Sequence, residues 1–133
     1  MGCSLASSLV AGIKEFRKTV SPDYLFVEPS ELVVTAELRS VISMGLRDIN
    51  YDIGPFITLV NAEDFAIIWE ERRPLILGQI SGADLVAISK VDLLIGKPEL
   101  QHIVNTIKTL CPCLLQLSSH NALGIKEVIT SIG

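Results

Sequence analysis

The residues best suited to chemistry in this chain follow a short apolar run. Residues 85–88 are aliphatic or small, and Ser89, Lys90 and Asp92 come directly after them. Such a run predicts a buried strand of a parallel sheet. Ligands of open α/β sheets bind outside the carboxyl ends of the strands. A hydroxyl, an ammonium and a carboxylate at this point therefore predict a binding site.

A second apolar run ends in small polar residues in the same way. Residues 113–117 predict a strand, Ser118 and Ser119 follow it, and residues 97–110 predict a helix between the two motifs. This order suits a site shared by both strand ends. The alternative for both motifs is structural, since small polar residues after a strand are usually turn formers.

Strand and helix patterns alternate along the whole chain. The order predicts one domain over residues 1–133, an α/β fold of three layers in which helices cover both faces of a mainly parallel sheet of about four strands. Pro74 is expected to divide the long helical pattern after residue 61. The predicted strands are 24–27, 56–60, 85–88 and 113–117.

Composition indicates which binding partners and which cellular compartment to expect. A net charge of −4 gives no electrostatic reason to expect nucleic acid or an anionic membrane, and no apolar run is long enough to span a bilayer. Three cysteines without a disulfide framework predict a reducing, cytoplasmic setting. Cys111 and Cys113 are interpreted as small apolar fillers rather than as a soft-metal pair.

An acidic segment supplies a third candidate. Glu28 follows the predicted strand 24–27, where a carboxylate can hold a magnesium-bound water near a phosphate. The alternative is that Glu28 and Glu31 flank the first turn of the next helix, whose dipole favours carboxylates.

Four ordered segments resemble the CobW/HypB/UreG family of P-loop GTPases, the metallochaperones and cofactor-assembly GTPases. Residues 23–32 resemble its Asp-x-x-x-x-Glu-x-Ser/Thr-Gly segment, and residues 56–65 its strand ending in Val-Asp-Ala. Residues 78–94 are similar to its Gln-Ile-x-x-Ala-Asp and Asn-Lys-x-Asp-Leu segments. Residues 2–4 resemble the end of its Gly-Cys-x-Cys metal motif.

The resemblance implies a guanine site. Asp92 would pair with the two N–H donors of the guanine edge, and the stem of Lys90 would lie along the ring. Backbone N–H groups at Ser118 and Ser119 would face the guanine oxygen, and Ser89 stands where the family has the bracing Asn. The implied ligands are GTP and GDP.

The resemblance also implies metals and a biological role. It places Glu28 near magnesium and leaves Cys3 as the remaining cysteine of the metal motif. Zinc, nickel or cobalt is the implied cargo, a metalloenzyme the implied client, and metallochaperone work or cobalamin synthesis the implied role.

The departures from the family pattern concern the phosphate site. The sequence contains no Gly-x-x-x-x-Gly-Lys-Ser/Thr, Glu31 stands where the family has Gly, and Asn61 replaces Asp. We therefore expect a truncated or split P-loop NTPase-like domain whose first strand is missing. Its sheet would close by direct pairing of the predicted strands 24–27 and 56–60, or through a strand from another chain, as in a strand-sharing homodimer. It would hydrolyse GTP only if a separate subunit supplied the phosphate loop. The alternative is a non-catalytic degenerate domain that acts as a scaffold or regulatory partner.

Overall fold

The computed structural model describes residues 2–133, except for the side chain of Cys3. Helices and strands alternate, which confirms the predicted α/β class. The helices are α1 Cys3–Val20, α2 Thr35–Gly45, α3 Phe65–Glu71, α4 Arg73–Ser81, α5 Pro98–Lys108 and α6 Ile125–Ile132. The strands are β1 Ile57–Asn61, β2 Leu85–Ser89 and β3 Leu114–Gln116, and a 3₁₀ turn spans Val91–Leu94.

The sheet is parallel in the order β1-β2-β3. Val60 of β1 pairs in register with Ile88 of β2, and Val86 of β2 pairs with Leu114 of β3. Val86, Ala87 and Ile88 have no exposed surface. This explains the uninterrupted apolar run, because a central parallel strand is covered on both faces.

Two apolar clusters hold the layers together. The larger cluster packs α3, α4 and α5 against one face of β1 and β2, and includes Phe65, Ile80, Val86, Ile88 and Ile107. The smaller cluster joins α1 and α2 to Phe56 at the start of β1 through Ile13, Leu38, Ile42 and Leu46. The other face of the sheet is only partly covered, since Leu59 is 64% exposed there while Ala87 is fully buried.

Two polar networks fix α2 beside the sheet. Thr35 at the start of α2 and Thr58 in β1 each donate a hydrogen bond to the carbonyl of Gln79 in α4, at 2.8 and 2.9 Å. Arg39 of α2 forms an ion pair with Asp84, 2.9 Å from Nη2 to Oδ2, and lies over the Phe56 ring. The threonine contacts lie beside α4, and the Arg39–Asp84 ion pair lies at the amino end of β2.

One predicted strand is wrong. Residues 24–27 have an extended course without strand pairing, and their side chains are exposed, with Tyr24 at 65% and Phe26 at 74%. A β-prone sequence becomes a strand only when a neighbouring strand accepts its hydrogen bonds. The sheet therefore has three strands rather than about four.

The edge of β1 that faces away from β2 has no strand beside it within residues 2–133. The Phe56 carbonyl and the Ala62 N–H both bond toward β2, so the backbone groups of residues 57, 59 and 61 point to the opposite edge. Strand β1 and residues 24–27 do not pair with one another.

Proline 74 divides the helical pattern after residue 61, as predicted. Helix α3 ends at Glu71 and α4 begins at Arg73, so Pro74 occupies the first turn of α4. Proline lacks a backbone N–H, and it is tolerated there because an N–H in the first turn of a helix has no intrahelical acceptor. Within the described part of the chain, no helix has the length and apolar character that a membrane crossing requires.

Candidate functional site

The first predicted motif lies at the carboxyl end of the central strand. Ser89 ends β2 and its hydroxyl donates to the Val60 carbonyl of β1 at 3.3 Å. Lys90 has a left-handed backbone, with φ of 59°, and the 3₁₀ turn that carries Asp92 follows. The left-handed residue turns the chain sharply, which keeps Asp92 close to the strand ends.

The second motif meets the first at this edge. The Ser118 hydroxyl donates to Oδ1 of Asp92 across 2.6 Å, and Ser118 has no exposed surface. Backbone hydrogen bonds align the two segments, from Leu117 N–H to the Ile88 carbonyl at 2.7 Å and from Val91 N–H to the Leu117 carbonyl at 3.3 Å. A buried donor therefore fixes the orientation of the Asp92 carboxylate.

The loop after β3 is closed by its own hydrogen bonds. The Ser118 N–H donates to the Leu123 carbonyl at 3.0 Å, so this N–H already has an acceptor within the loop. Ser119 is exposed one residue later. The loop ends at Gly124, where φ is 73° and an added Cβ would lie 2.1 Å from the Gln116 carbonyl oxygen. Only glycine fits this close approach.

Lys90 is paired with a residue that the sequence analysis did not single out. Its ammonium lies 3.4 Å from Oε2 of Glu63, and both side chains are about half exposed, at 52% and 55%. Asn61 shapes the Glu63 loop, because its Oδ1 accepts the Glu63 N–H at 3.1 Å and its Nδ2 donates to Asp64 at 2.6 Å. The sequence signal that could have identified Glu63 was the position of this acidic residue just after a predicted parallel strand.

Among the described side chains, Glu28 and Glu31 form no hydrogen bond or ion pair with the residues at this edge. Glu28 is exposed in the unpaired segment after residue 22. Glu31 is exposed too, and its carbonyl accepts a hydrogen bond from Nε2 of Gln79 at 2.6 Å. Cys3 begins α1, and its side chain lies outside the described residues.

The cysteines after α5 behave differently from one another. Cys111 is buried in the larger cluster, as a small apolar filler should be, whereas Cys113 is exposed. The filler interpretation is therefore wrong for Cys113. Among the described side chains, no three of His, Cys, Asp or Glu converge as a metal site would require.

A carboxylate with a shifted pKa, Asp84, lies away from this edge, at the amino end of β2. The Phe56 N–H donates to Asp84 at 2.7 Å and holds the pKa of that carboxyl below its usual value. Burial opposes this shift in pKa, and the Arg39 guanidinium adds to it. This network therefore stabilises the fold at the end of β2 remote from Asp92.

The edge can recognise a flat polar ligand. It presents a braced carboxylate at Asp92, an ammonium at Lys90 and the exposed Ser119 close in sequence to the buried Ser118. A carboxylate accepts two parallel hydrogen bonds, and a lysine stem can cover an aromatic ring while its head stays in water. Contact of these residues with a nucleotide stays a prediction.

Comparison with known proteins supplies the family. Residues 1–115 match the family model described as CobW/HypB/UreG, nucleotide-binding domain. The curated proteins and the solved structures gave no match. The matched range includes β1, β2 and the turn that carries Asp92. The chain belongs to the CobW/HypB/UreG family and contains its nucleotide-binding domain.

Proposed function

We propose that this domain binds the guanine base of GTP or GDP at the edge formed by Asp92, Lys90 and residues 118–119. The observation that carries the proposal is the 2.6 Å hydrogen bond from Ser118 to Asp92. It holds the carboxylate rigidly, which reduces the entropy that a ligand must overcome on binding. Membership of a nucleotide-binding family supports the ligand class.

The proposed roles are those that the family resemblance implies, and the geometry of the edge supports them. Asp92 accepts the two adjacent N–H groups of guanine, which adenine lacks, and so selects the base. The Lys90 stem covers the ring while Glu63, 3.4 Å from its ammonium, steadies the head. Because the Ser118 N–H is used within the loop, the Ser119 N–H is the better donor to the guanine oxygen.

Hydrolysis needs parts that this sequence does not contain. It has no Gly-x-x-x-x-Gly-Lys-Ser/Thr, so the phosphates of GTP would be held by a loop that a separate subunit supplies. The unpaired edge of β1 offers backbone groups to a strand from such a partner. In the completed site Glu28 would stand near magnesium.

The broader role proposed is delivery of a metal or assembly of a metallocofactor in the cytoplasm. The support is family membership. The proposed cargo is zinc, nickel or cobalt and the proposed client is a metalloenzyme, as the family resemblance implies. Cys3 is the proposed metal contact of this chain, with cobalamin synthesis among the pathways that such a domain could serve.

A second function is favoured by one observation. Glu31 stands at the position of a family glycine, and its carbonyl is tied to Gln79 of α4. A side chain at that position obstructs the close approach of a γ-phosphate to the backbone. A domain that binds a partner without hydrolysing GTP, as a scaffold or regulatory subunit, fits this feature.

The proposal is tested by binding of GDP and ADP to the purified chain. Base contacts alone predict a dissociation constant on the order of 1 mM or weaker, within reach of saturation-transfer NMR. Transfer to GDP exceeding transfer to ADP, and lost in Asp92→Asn, is the expected result. Asp52→Asn is the control because Asp52 is exposed elsewhere. Equal transfer to both nucleotides, unchanged in Asp92→Asn, would overturn base recognition at this edge.

A further inference from the structure

A groove of about 560 Å³ lies between α3 and α5, beside the proposed base site. Phe65 and Ile103 lie at its base and are 2% and 4% exposed, and Trp69 and Leu94 complete an apolar floor. The Trp69 ring stacks on Phe65 with 5.4 Å between the ring centres. The floor is thus firmly packed and remains open to solvent above.

The rim of this groove is acidic. Glu63, Glu70 and Glu99 line it and are exposed, and none of its lining residues is a lysine or arginine. His102 is the only lining side chain able to carry a positive charge. The Arg73 guanidinium lies 4.7 Å from the centre of the Trp69 ring, but Arg73 does not line the groove.

We propose that this groove binds a basic amphipathic helix of a partner protein. Helices commonly bind in apolar grooves through residues spaced three and four apart. The apolar face of the partner would cover Trp69 and Ile103, and its lysines or arginines would reach Glu70 and Glu99. The lining residues of α5 run from Pro98 to Ile103 and those of α3 from Phe65 to Glu70, so the groove matches nearly two turns of a docked helix.

Charge favours a basic helix over an anionic membrane or an acidic peptide as the ligand of this groove. An acidic rim repels an anionic membrane and an acidic peptide, and it attracts lysine and arginine. A second copy of this chain is the other source of such a helix, because α1 exposes Phe16 and Val20 beside Arg17 and Lys18. We propose a separate protein as the partner. The observations that support this proposal do not depend on nucleotide binding.

The chain contains one tryptophan, Trp69, so its fluorescence reports directly on the groove. The probe is a 14-residue amphipathic peptide of leucine and lysine, and the matched peptide has glutamate in place of every lysine. Glu63 is left unchanged because it also pairs with Lys90. The test variant is Glu70→Lys with Glu99→Lys. The control is Glu71→Lys with Glu127→Lys, which changes the net charge equally outside the groove.

The proposal predicts a saturable change in Trp69 emission with the lysine peptide and none with the glutamate peptide. The Glu70/Glu99 variant should bind the lysine peptide about tenfold more weakly, while the Glu71/Glu127 variant should match the unmodified chain. An equal response to both peptides, an equal loss in both variants, or no saturable response would overturn the proposal. Self-association in sedimentation that the Glu70/Glu99 variant loses would also overturn it, in favour of a second copy.

Discussion

The Ser118 hydroxyl and the Asp92 carboxylate join the ends of β3 and β2 across 2.6 Å. Ser118 is fully buried, whereas Asp92 is only partly so. The buried Ser118 hydroxyl therefore fixes the orientation of the Asp92 carboxylate, which stays accessible to solvent. This arrangement suits recognition, because the carboxylate is oriented before a ligand arrives.

Loss of this hydrogen bond should destabilise the domain. Ser118→Ala removes the donor to a charged acceptor, and we expect a fall of about 1–2 kcal/mol in the free energy of unfolding, measured by urea denaturation. Ser119→Ala is the matched control, since Ser119 is exposed and should stay within about 0.5 kcal/mol. Equal effects of the two changes would contradict a positioning role for Ser118.

The sequence predicted the meeting of residues 89–92 with residues 118–119 because both follow strands of one parallel sheet. It could not predict the Lys90–Glu63 pair, since side-chain pairing depends on the course of the loop after β1, which Asn61 sets through hydrogen bonds to residues 63 and 64. Residues 24–27 were wrongly predicted as a strand for a related reason. Local β-propensity does not say whether a neighbouring strand is present.

Acid should remove the contribution of Asp84 to stability. The Phe56 hydrogen bond lowers the pKa of Asp84 in the folded state, burial partly opposes this, and the Arg39 hydrogen bond lowers the pKa further. A lowered folded-state pKa adds stability above the ordinary value of 3.8, and that stability is lost as pH falls through the folded pKa.

The measurement for Asp84 is urea denaturation of the unmodified chain and of Asp84→Asn at several pH values. The variant should be less stable at pH 7, and the difference should shrink below about pH 4. The pKa of Asp48 is also lowered, chiefly by the Lys14 hydrogen bond, but Asp48 is present in both proteins and cancels. A difference that stays constant down to about pH 2 would contradict the assignment to Asp84.

Two glycines with similar backbone angles should respond differently to alanine. Gly124 has φ of 73° and Gly96 has φ of 76°, but only at Gly124 would a Cβ meet backbone, the Gln116 carbonyl oxygen. Gly96→Ala should cost about 1 kcal/mol of stability from the left-handed conformation alone. Gly124→Ala should cost more than about 2 kcal/mol because the loop must also move. Thermal or urea denaturation of both variants that gave equal losses would contradict the close approach.

Because residues 24–27 are exposed, a substitution there should affect stability much less than a substitution in the larger cluster. Phe26 is 74% exposed, so Phe26→Ala should change the free energy of unfolding by less than about 0.5 kcal/mol. Phe65 is 2% exposed in the larger cluster, so Phe65→Ala should cost about 3–5 kcal/mol. A cost at Phe26 that approached the cost at Phe65 would mean that residues 24–27 are packed in the isolated chain.

The most direct test of base recognition is a change of base preference. An asparagine at position 92 would offer a donor as well as an acceptor, and xanthine has a carbonyl where guanine has its exocyclic amine. We would measure saturation-transfer NMR with guanosine and xanthosine monophosphates on the unmodified chain and on Asp92→Asn. The account predicts that the unmodified chain prefers guanosine monophosphate and the variant prefers xanthosine monophosphate, each by about tenfold. The same order of preference in both proteins, or no transfer to either ligand, would contradict it.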